Sequence, residues 1–238
     1  MLKYEIKKFS LNELKELEQY DLQYIALKQL YEKLQDKELF LKLVIINSLL
    51  SYQLSMKWEK YWFYFSSYFS KHKIRNLKED FSSFLSEYNK RFLQAKLKRL
   101  EKILHFIENI SKEKLNSYIK YEKVLLKDLS KYMRQKEDAK TIVFCIKMFI
   151  WALRIIWYDK YPSKDIYIPV DNRIWKISKN KDFWLQISEQ TWYPLLILDT
   201  LFYVSLSGNF ENIKDQKLKT KLKQFSNFLI KNIKYTKN

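Results

Sequence analysis

A single glycine and three prolines in 238 residues are the strongest constraint on the fold of this chain. Average proteins contain roughly 7% glycine and 5% proline, and folds with many tight turns between strands depend on both residues. The chain is instead rich in lysine, leucine, isoleucine, glutamate and glutamine, which favour or tolerate helices. Apolar residues make up 47% of the chain, which is enough to form a folded core. The composition therefore predicts an all-α fold.

Local patterns place the helices along the chain. Two segments, one from Ser10 to Glu13 and one from Asn76 to Glu79, match the capping box that begins many helices. We expect Asp138 to begin a long helix that reaches about residue 160. Further helical patterns occupy about 21–34, 37–56, 58–71, 77–87, 89–109 and 112–133.

The sequence changes character after the long helix. The segment 161–170 contains two of the three prolines and is predicted to be an extended loop. Asp171 follows this loop and precedes a short helical segment, 172–178, which is the position of an N-cap. Taken alone, an N-cap is the simpler interpretation of Asp171, and it is compatible with a catalytic carboxylate. Gly208 stands where a C-cap glycine is expected.

Several classes of protein are excluded by composition. Cys145 is the only cysteine and there are two histidines, so we expect no disulfide, zinc site, iron–sulfur cluster or other cofactor. The most apolar stretch, 141–157, contains Lys147 and Arg154, which argues against a membrane span. The N-terminus lacks the apolar core of a signal peptide. We therefore expect an intracellular protein without a membrane partner.

The chain carries 45 basic and 27 acidic residues, a formal net charge of +18. Such an excess favours polyanions and usually indicates a nucleic acid or an anionic membrane surface as partner. An AT-rich coding sequence also enriches lysine, which explains part of the excess without any function. If the charge marks a DNA-binding surface, Lys131, Arg134 and Lys136 are the candidate contacts.

The helix after Asp138 contains the most informative pattern. Lys140, Phe144, Lys147 and Trp151 fall on one narrow stripe at 3.6 residues per turn. Spacing alone favours a solvent-exposed face. The functional alternative is a cleft wall in which Lys140 is a half-buried amine with Lys147 nearby. Burial and neighbouring positive charge disfavour the ammonium form and leave a nucleophilic amine.

The segment 58–69 contains eight aromatic residues. Aromatic residues at helical spacing are more often core than a surface for stacking bases, so we expect most of them to be buried. One or two could still face a cleft.

Four blocks of sequence carry a resemblance to a known family. The most specific is the block from Asp138 to Met148, followed about thirty residues later by the block from Ile168 to Asp171. Further blocks are Asp21 to Gln23 with Ala26 and Leu27, and Asn47 to Ser55 with Glu59 and Trp62, while Leu198 to Tyr203 fits less closely. Through these blocks the chain resembles the archaeal GO glycosylase family (AGOG), 8-oxoguanine DNA glycosylase/AP lyases of the helix-hairpin-helix superfamily.

The resemblance implies a covalent mechanism. Lys140 would attack the sugar C1′, expel the damaged base and form a Schiff base, after which β-elimination breaks the strand. Asp171 would stabilise the positive charge that develops on the sugar and assist proton transfers. Phe144 and Tyr203 would sandwich a flipped base. The implied pocket is completed by Gln23, Ser51, Trp62, Lys147, Asp199 and the carbonyl group of Pro169.

Two departures from the family pattern stand out. Tyr203 occupies the position where the family usually has a tryptophan, so the stacking platform is smaller. The hairpin segment 134–137 has no glycine, unlike most hairpins of the superfamily.

The resemblance implies one catalytic domain, 1–238, with two helical lobes around a cleft and a helix-hairpin-helix-like segment at 129–171. Damaged DNA, with 8-oxoguanine or AP sites, would be the partner, and we expect a monomer. Two alternatives stay open at this point. One is a glycosylase for another damaged purine, and the other is a non-catalytic helical protein that binds nucleic acid.

Overall fold

The computed structural model describes residues 1–208 and 210–233, and within these ranges it contains helices and no strand. The all-α prediction is therefore confirmed for the described residues. The helices are α1 Leu2–Ile6, α2 Leu11–Glu18, α3 Leu22–Leu34, α4 Lys37–Leu50, α5 Trp58–Lys71, α6 Leu77–Tyr88, α7 Leu93–Glu108, α8 Lys112–Lys120, α9 Glu122–Met133, α10 Lys140–Ile155, α11 Asn172–Ile177, α12 Lys181–Thr191, α13 Leu195–Ser207 and α14 Gln216–Ile233.

The predicted helix starts are largely correct. Ser10 forms a complete capping box with Glu13 at the start of α2. Asn76 caps α6, because its side chain accepts from the backbone N–H groups of Lys78 and Glu79. The backbone N–H of Asn76 donates to the carboxylate of Asp80 and not, as in a capping box, to that of Glu79. The extended loop before Asp171 is confirmed, because no helix covers 156–171.

Three predicted boundaries are wrong. Helix α4 ends at Leu50, six residues before the predicted end. The predicted helix 112–133 is two helices, because Tyr121 has extended backbone dihedrals and separates α8 from α9. The long helix begins after Ala139, not after Asp138, and α10 ends at Ile155.

The chain divides into two compact units. The central unit comprises 22–161. Its core is built around α10, which packs against α3, α4 and α9. Thirteen of the sixteen residues of α10 are buried, so only its first turn reaches the surface. The aromatic helix α5 packs against α3 and buries Tyr61, Trp62, Phe65 and Phe69, which confirms the core interpretation for these residues.

The terminal unit combines residues 1–21 with those from 162 onward. Helix α13 is its core and packs against α2, α11, α12 and α14. Gly208 ends α13 in the left-handed conformation, with φ of 69°, as a C-cap glycine does. Among the described residues, no helix is both long and apolar enough to cross a membrane.

Candidate active site

The stripe along α10 runs from solvent into the core of the central unit. Lys140 is the first residue of α10 and is exposed, and Phe144 one turn later is half-buried. Lys147 is only 4% exposed and Trp151 is 1% exposed. The predicted half-burial of Lys140 is therefore wrong. The solvent-face interpretation also fails, because Lys147 and Arg154 are both buried.

Aromatic side chains surround the buried part of this stripe. The Trp62 ring meets the Phe144 ring edge-on, with 6.2 Å between their centroids. The Lys147 amine lies 4.5 Å from the centroid of the Trp151 ring, a cation–π contact that favours a buried cation. Tyr24 packs edge-on against Trp151 at 5.7 Å. Gln23, its neighbour on α3, is also buried, at 6% exposure.

The loop after α4 carries Ser51 and is tied down by side chains from distant parts of the chain. The Ser51 hydroxyl donates to the carbonyl oxygen of Ser48 at 2.9 Å. The Asn89 amide donates to the Leu50 carbonyl at 3.3 Å. The fully buried Lys96 amine donates to the Gln53 carbonyl at 3.2 Å and to the Asn89 side chain. Burial, with a smaller contribution from the charge of Arg91, lowers the pKa of Lys96 to about 8.

The hairpin between α9 and α10 forms a tight turn without the glycine that usually occupies its left-handed position. Arg134 adopts the left-handed conformation, with φ of 53°, and ends α9. The next backbone N–H, that of Gln135, returns to the Ser130 carbonyl at 2.9 Å. The Gln135 side-chain oxygen accepts from the Thr141 hydroxyl at 3.1 Å and from the Arg99 guanidinium at 3.2 Å. These bonds fix the turn immediately ahead of Lys140.

A basic cavity of about 940 Å³ adjoins this hairpin on the side of α7, α8 and α9. The Lys114 amine pairs with Asp128 at 2.7 Å. Lys102, Lys131 and Arg134 also line the cavity, so its walls carry an excess of positive charge. Lys136 is exposed in the hairpin but is not part of the cavity wall.

In the terminal unit, Asp171 is the N-cap of α11, as predicted. Its Oδ1 accepts from the backbone N–H groups of Arg173 at 2.8 Å and of Ile174 at 3.1 Å. Its Oδ2 accepts from Nε of Arg173 at 2.8 Å. Burial alone would raise the pKa of Asp171, but the hydrogen bonds and charge of Arg173 hold it below the ordinary value of an aspartate. Pro169, two residues earlier, is buried.

The two candidate residues on α13 lie one turn apart. Asp199 is 5% exposed and Tyr203 is half-buried. The Arg173 guanidinium lies 4.3 Å from the centroid of the Tyr203 ring, and the charge of Asp199 also acts on it. The structure thus brings Asp171, Asp199 and Tyr203 together around Arg173.

Sequence reasoning missed the supporting residues of both units. Arg173 is the most important of them. The only sequence signal that could have identified it is its position two residues after the predicted N-cap, Asp171. No sequence signal identifies Asn89, Lys96 and Arg99, because the backbone groups to which they donate lie far away along the chain.

Comparisons with known proteins identify the family of this chain. A family model described as AGOG, N-glycosylase/DNA lyase, matches residues 4–237. The N-glycosylase/DNA lyase of Methanococcus maripaludis is 40% identical over 205 residues, which cover 82% of this chain and 81% of the relative. The corresponding protein of Thermococcus kodakarensis is 38% identical over 206 residues, covering 82% of this chain and 78% of the relative.

The fold also matches a solved structure. The crystal structure of Pa-AGOG, an 8-oxoguanine DNA glycosylase from Pyrobaculum aerophilum complexed with 8-oxoguanosine, superposes with a TM-score of 0.79 at 23% identity. The match covers 93% of this chain and 94% of that chain. The family is shown by the two relatives and by the family model, which spans almost the whole length: this chain belongs to the AGOG family of N-glycosylase/DNA lyases.

Proposed function

We propose that this protein is a single catalytic domain that excises 8-oxoguanine from DNA and then cleaves the strand at the resulting AP site. The observation that carries the proposal is the stripe on α10, in which an exposed amine, Lys140, stands at the outer end of a row that continues through Phe144 to the buried Lys147. An exposed amine at this position is accessible to a sugar in DNA. Membership of an enzyme family removes the alternative of a non-catalytic binding protein.

Lys140 is the proposed nucleophile. Its neutral amine adds to C1′ while the electrons of the N-glycosidic bond leave with the base, which takes up a proton. The sugar ring then opens to a protonated Schiff base. Loss of a proton from C2′ and departure of the 3′ phosphate complete the β-elimination. Asp171, held as a carboxylate, stabilises the positive charge that develops at C1′ and assists the proton transfers.

Discrimination against guanine requires a buried hydrogen-bond acceptor. 8-Oxoguanine carries a hydrogen on N7, whereas N7 of guanine is an acceptor. An acceptor that faces N7 therefore accepts a hydrogen bond from 8-oxoguanine but has no donor when guanine is bound. Leaving a buried acceptor without a donor costs about 1–3 kcal/mol of binding free energy. Gln23 and Asp199, both nearly fully buried, are the proposed readers of the polar edges. A backbone carbonyl near Phe144 or Pro169 is the alternative acceptor.

The remaining pocket residues have supporting roles in this proposal. Phe144 and Tyr203 stack on the faces of the base, and Trp62 supports the Phe144 ring by the edge-on contact described above. Ser51 and Lys147 contribute polar groups. The choice of lesion is supported by the Pyrobaculum aerophilum glycosylase, whose structure holds 8-oxoguanosine.

DNA is proposed to lie along the hairpin and the basic cavity beside it. Lys131, Arg134 and Lys136 would contact backbone phosphates. Lys102, which also lines the cavity, would extend this contact. Such contacts position the duplex and carry no sequence information.

The proposal is tested by separating base recognition from strand cleavage. Gln23→Ala and Asp199→Ala should each lower excision of 8-oxoguanine by roughly ten- to a hundredfold, the equivalent of one unmade buried hydrogen bond. Cleavage of a preformed AP site by Lys140 should remain nearly unchanged in both variants. Duplexes with an alkylated purine serve as the control for lesion identity.

Equal loss of both activities would mean that Gln23 and Asp199 support the fold and not the base. Faster release of the alkylated purine than of 8-oxoguanine by the wild-type protein would contradict the proposed substrate.

A further inference from the structure

Fixed donors occupy both oxygens of the Asp171 carboxylate. Backbone N–H groups of Arg173 and Ile174 donate to Oδ1. The Arg173 guanidinium donates to Oδ2 through both Nε and Nη2. An ionised carboxylate offers about four acceptor positions, and the four donors named here fill that number.

The same guanidinium also covers an aromatic ring. Its central carbon lies 4.3 Å from the centroid of the Tyr203 ring, close enough for a stacked cation–π contact. Tyr203 belongs to α13 and Asp171 precedes α11, so one side chain joins two elements of the terminal unit. A planar, permanently charged guanidinium is suited to both contacts, whereas an ammonium group could not make the fork.

We propose that Arg173 is a positioning residue for the reaction, holding the Asp171 carboxylate in one orientation beside the Tyr203 ring. The inference rests on the proposed role of Asp171 as the essential carboxylate. While Arg173 stays in place, donors occupy all the lone pairs of the Asp171 carboxylate. Asp171 then supplies negative charge but does not accept a proton. Asp171 can act as a base only after the guanidinium has left Oδ2.

Removal of Arg173 should therefore change the protonation of Asp171. Burial alone would raise the pKa of this carboxyl, and the hydrogen bonds and charge of Arg173 outweigh that effect. Without the guanidinium, burial dominates and the pKa of Asp171 rises. Because the reaction uses ionised Asp171, the acid limb of the pH profile for base excision should move to higher pH.

A carboxyl titration by ¹³C NMR tests this without reference to activity. In Arg173→Gln, the pKa of Asp171 should be higher than in the wild type by about one pH unit or more, the usual effect of a close opposite charge. Arg173→Lys, which keeps the charge but not the fork, should give an intermediate value. An unchanged pKa in Arg173→Gln would overturn the proposal.

The pH profile of 8-oxoguanine excision provides the second test. In Arg173→Gln the rate below the acid limb should fall on the order of tenfold for each pH unit by which the limb moves. A merely structural role would lower the rate at every pH and leave the limb in place. In the Asp171→Asn background, Arg173→Gln should have no further effect, because the arginine acts through that carboxylate.

The two tests separate the two proposals. Full activity of Asp171→Asn would refute the catalytic role of Asp171. The carboxyl titration would still show whether Arg173 controls the protonation of that group.

Discussion

At the scale of single residues, Asp171 shows what local sequence patterns can and cannot reveal. Its position after Pro169 and Val170 predicted an N-cap, and the structure confirms it. The ion pair with Arg173 was not predicted, because residues two positions apart do not face each other within a helix. The ion pair forms because Asp171 precedes α11 and has an extended backbone, with φ of −97° and ψ of −178°. This conformation directs its carboxylate toward the first turn of the helix.

Asp171→Asn separates capping from catalysis. Asparagine caps helices as well as aspartate does, and the ion pair that is lost involves the partly exposed Arg173, so the melting temperature should change little. The negative charge is lost, and excision should slow by about a thousandfold, as when a charge-stabilising group is removed from an active site. Asp182→Asn, which removes an exposed carboxylate from α12, is the matched control and should leave the rate unchanged.

Excision kinetics and thermal denaturation of the two variants check this prediction. A lower melting temperature with undiminished activity per folded molecule would mean that Asp171 is only an N-cap.

At the scale of elements, the early end of α4 explains why helix boundaries were the weakest sequence predictions. The helical pattern continues to about residue 56, but the helix stops at Leu50. Its last carbonyl groups are satisfied from elsewhere: Arg99 donates to the Leu49 carbonyl at 2.9 Å, and Asn89 donates to that of Leu50. Partners that lie 39 and 50 residues away along the chain cannot be recognised from the local sequence.

The Lys96 amine gives this region a pH dependence with a definite sign. The folded-state pKa is about 8, below the unfolded value of about 10.4. Between these values the unfolded chain holds a proton that the folded chain does not, so the free energy of unfolding rises with pH. The rise in the free energy of unfolding is complete above the pKa of the unfolded state. Below pH 8 the folded protein contains a buried ammonium group at Lys96, which lowers its stability.

Comparison of the wild type with Lys96→Met isolates this effect from the other lysines and tyrosines. Denaturant unfolding at pH 7 and pH 10 should show a stability difference, wild type minus variant, that increases with pH. A difference that stays constant or decreases would contradict the lowered pKa of Lys96.

The hairpin offers a substitution with opposite effects on stability and binding. Arg134 holds a left-handed conformation that costs an L-residue roughly 1–2 kcal/mol. Arg134→Gly removes this cost but loosens the unfolded chain by about 0.4–1 kcal/mol, so we expect a small net stabilisation. DNA affinity should fall because a cation is lost from the basic cavity.

Arg134→Lys keeps both the charge and the strain and serves as the control. Denaturant unfolding measures the change in stability, and fluorescence anisotropy with duplex DNA measures the change in affinity. Destabilisation by Arg134→Gly would show that the arginine side chain, and not the turn, sets the stability of the hairpin.

At the scale of the whole molecule, the scarcity of glycine was sufficient for the fold class, and the described residues confirm it. The segments that make up each compact unit were not predicted from the sequence. The first 21 residues belong with the C-terminal part of the chain because α2 packs its apolar face, including Leu14 and Leu17, against α13. The sequence changes character at 161, where the chain returns to this unit, but no flexible linker marks the boundary after residue 21.

The net charge of +18 predicts steeply salt-dependent DNA binding, because each phosphate contact releases a condensed counterion. If the basic cavity contacts the backbone, Lys102→Gln should reduce the slope of log K against log salt by about 0.9. Lys33→Gln removes an equal charge from the exposed surface of α3 and should leave the slope unchanged. Equal slopes for wild type and Lys102→Gln would exclude the cavity from the binding surface.

The central claim is that Lys140 forms the covalent intermediate, and borohydride trapping tests it most directly. Reduction during turnover of an 8-oxoguanine duplex converts a Schiff base into a permanent crosslink, which peptide mass spectrometry can assign to one lysine. We predict a crosslink at Lys140 in the wild type, the same crosslink in Lys147→Gln, and none in Lys140→Gln. Undiminished trapping by Lys140→Gln, or a crosslink at a different lysine in the wild type, would contradict the claim.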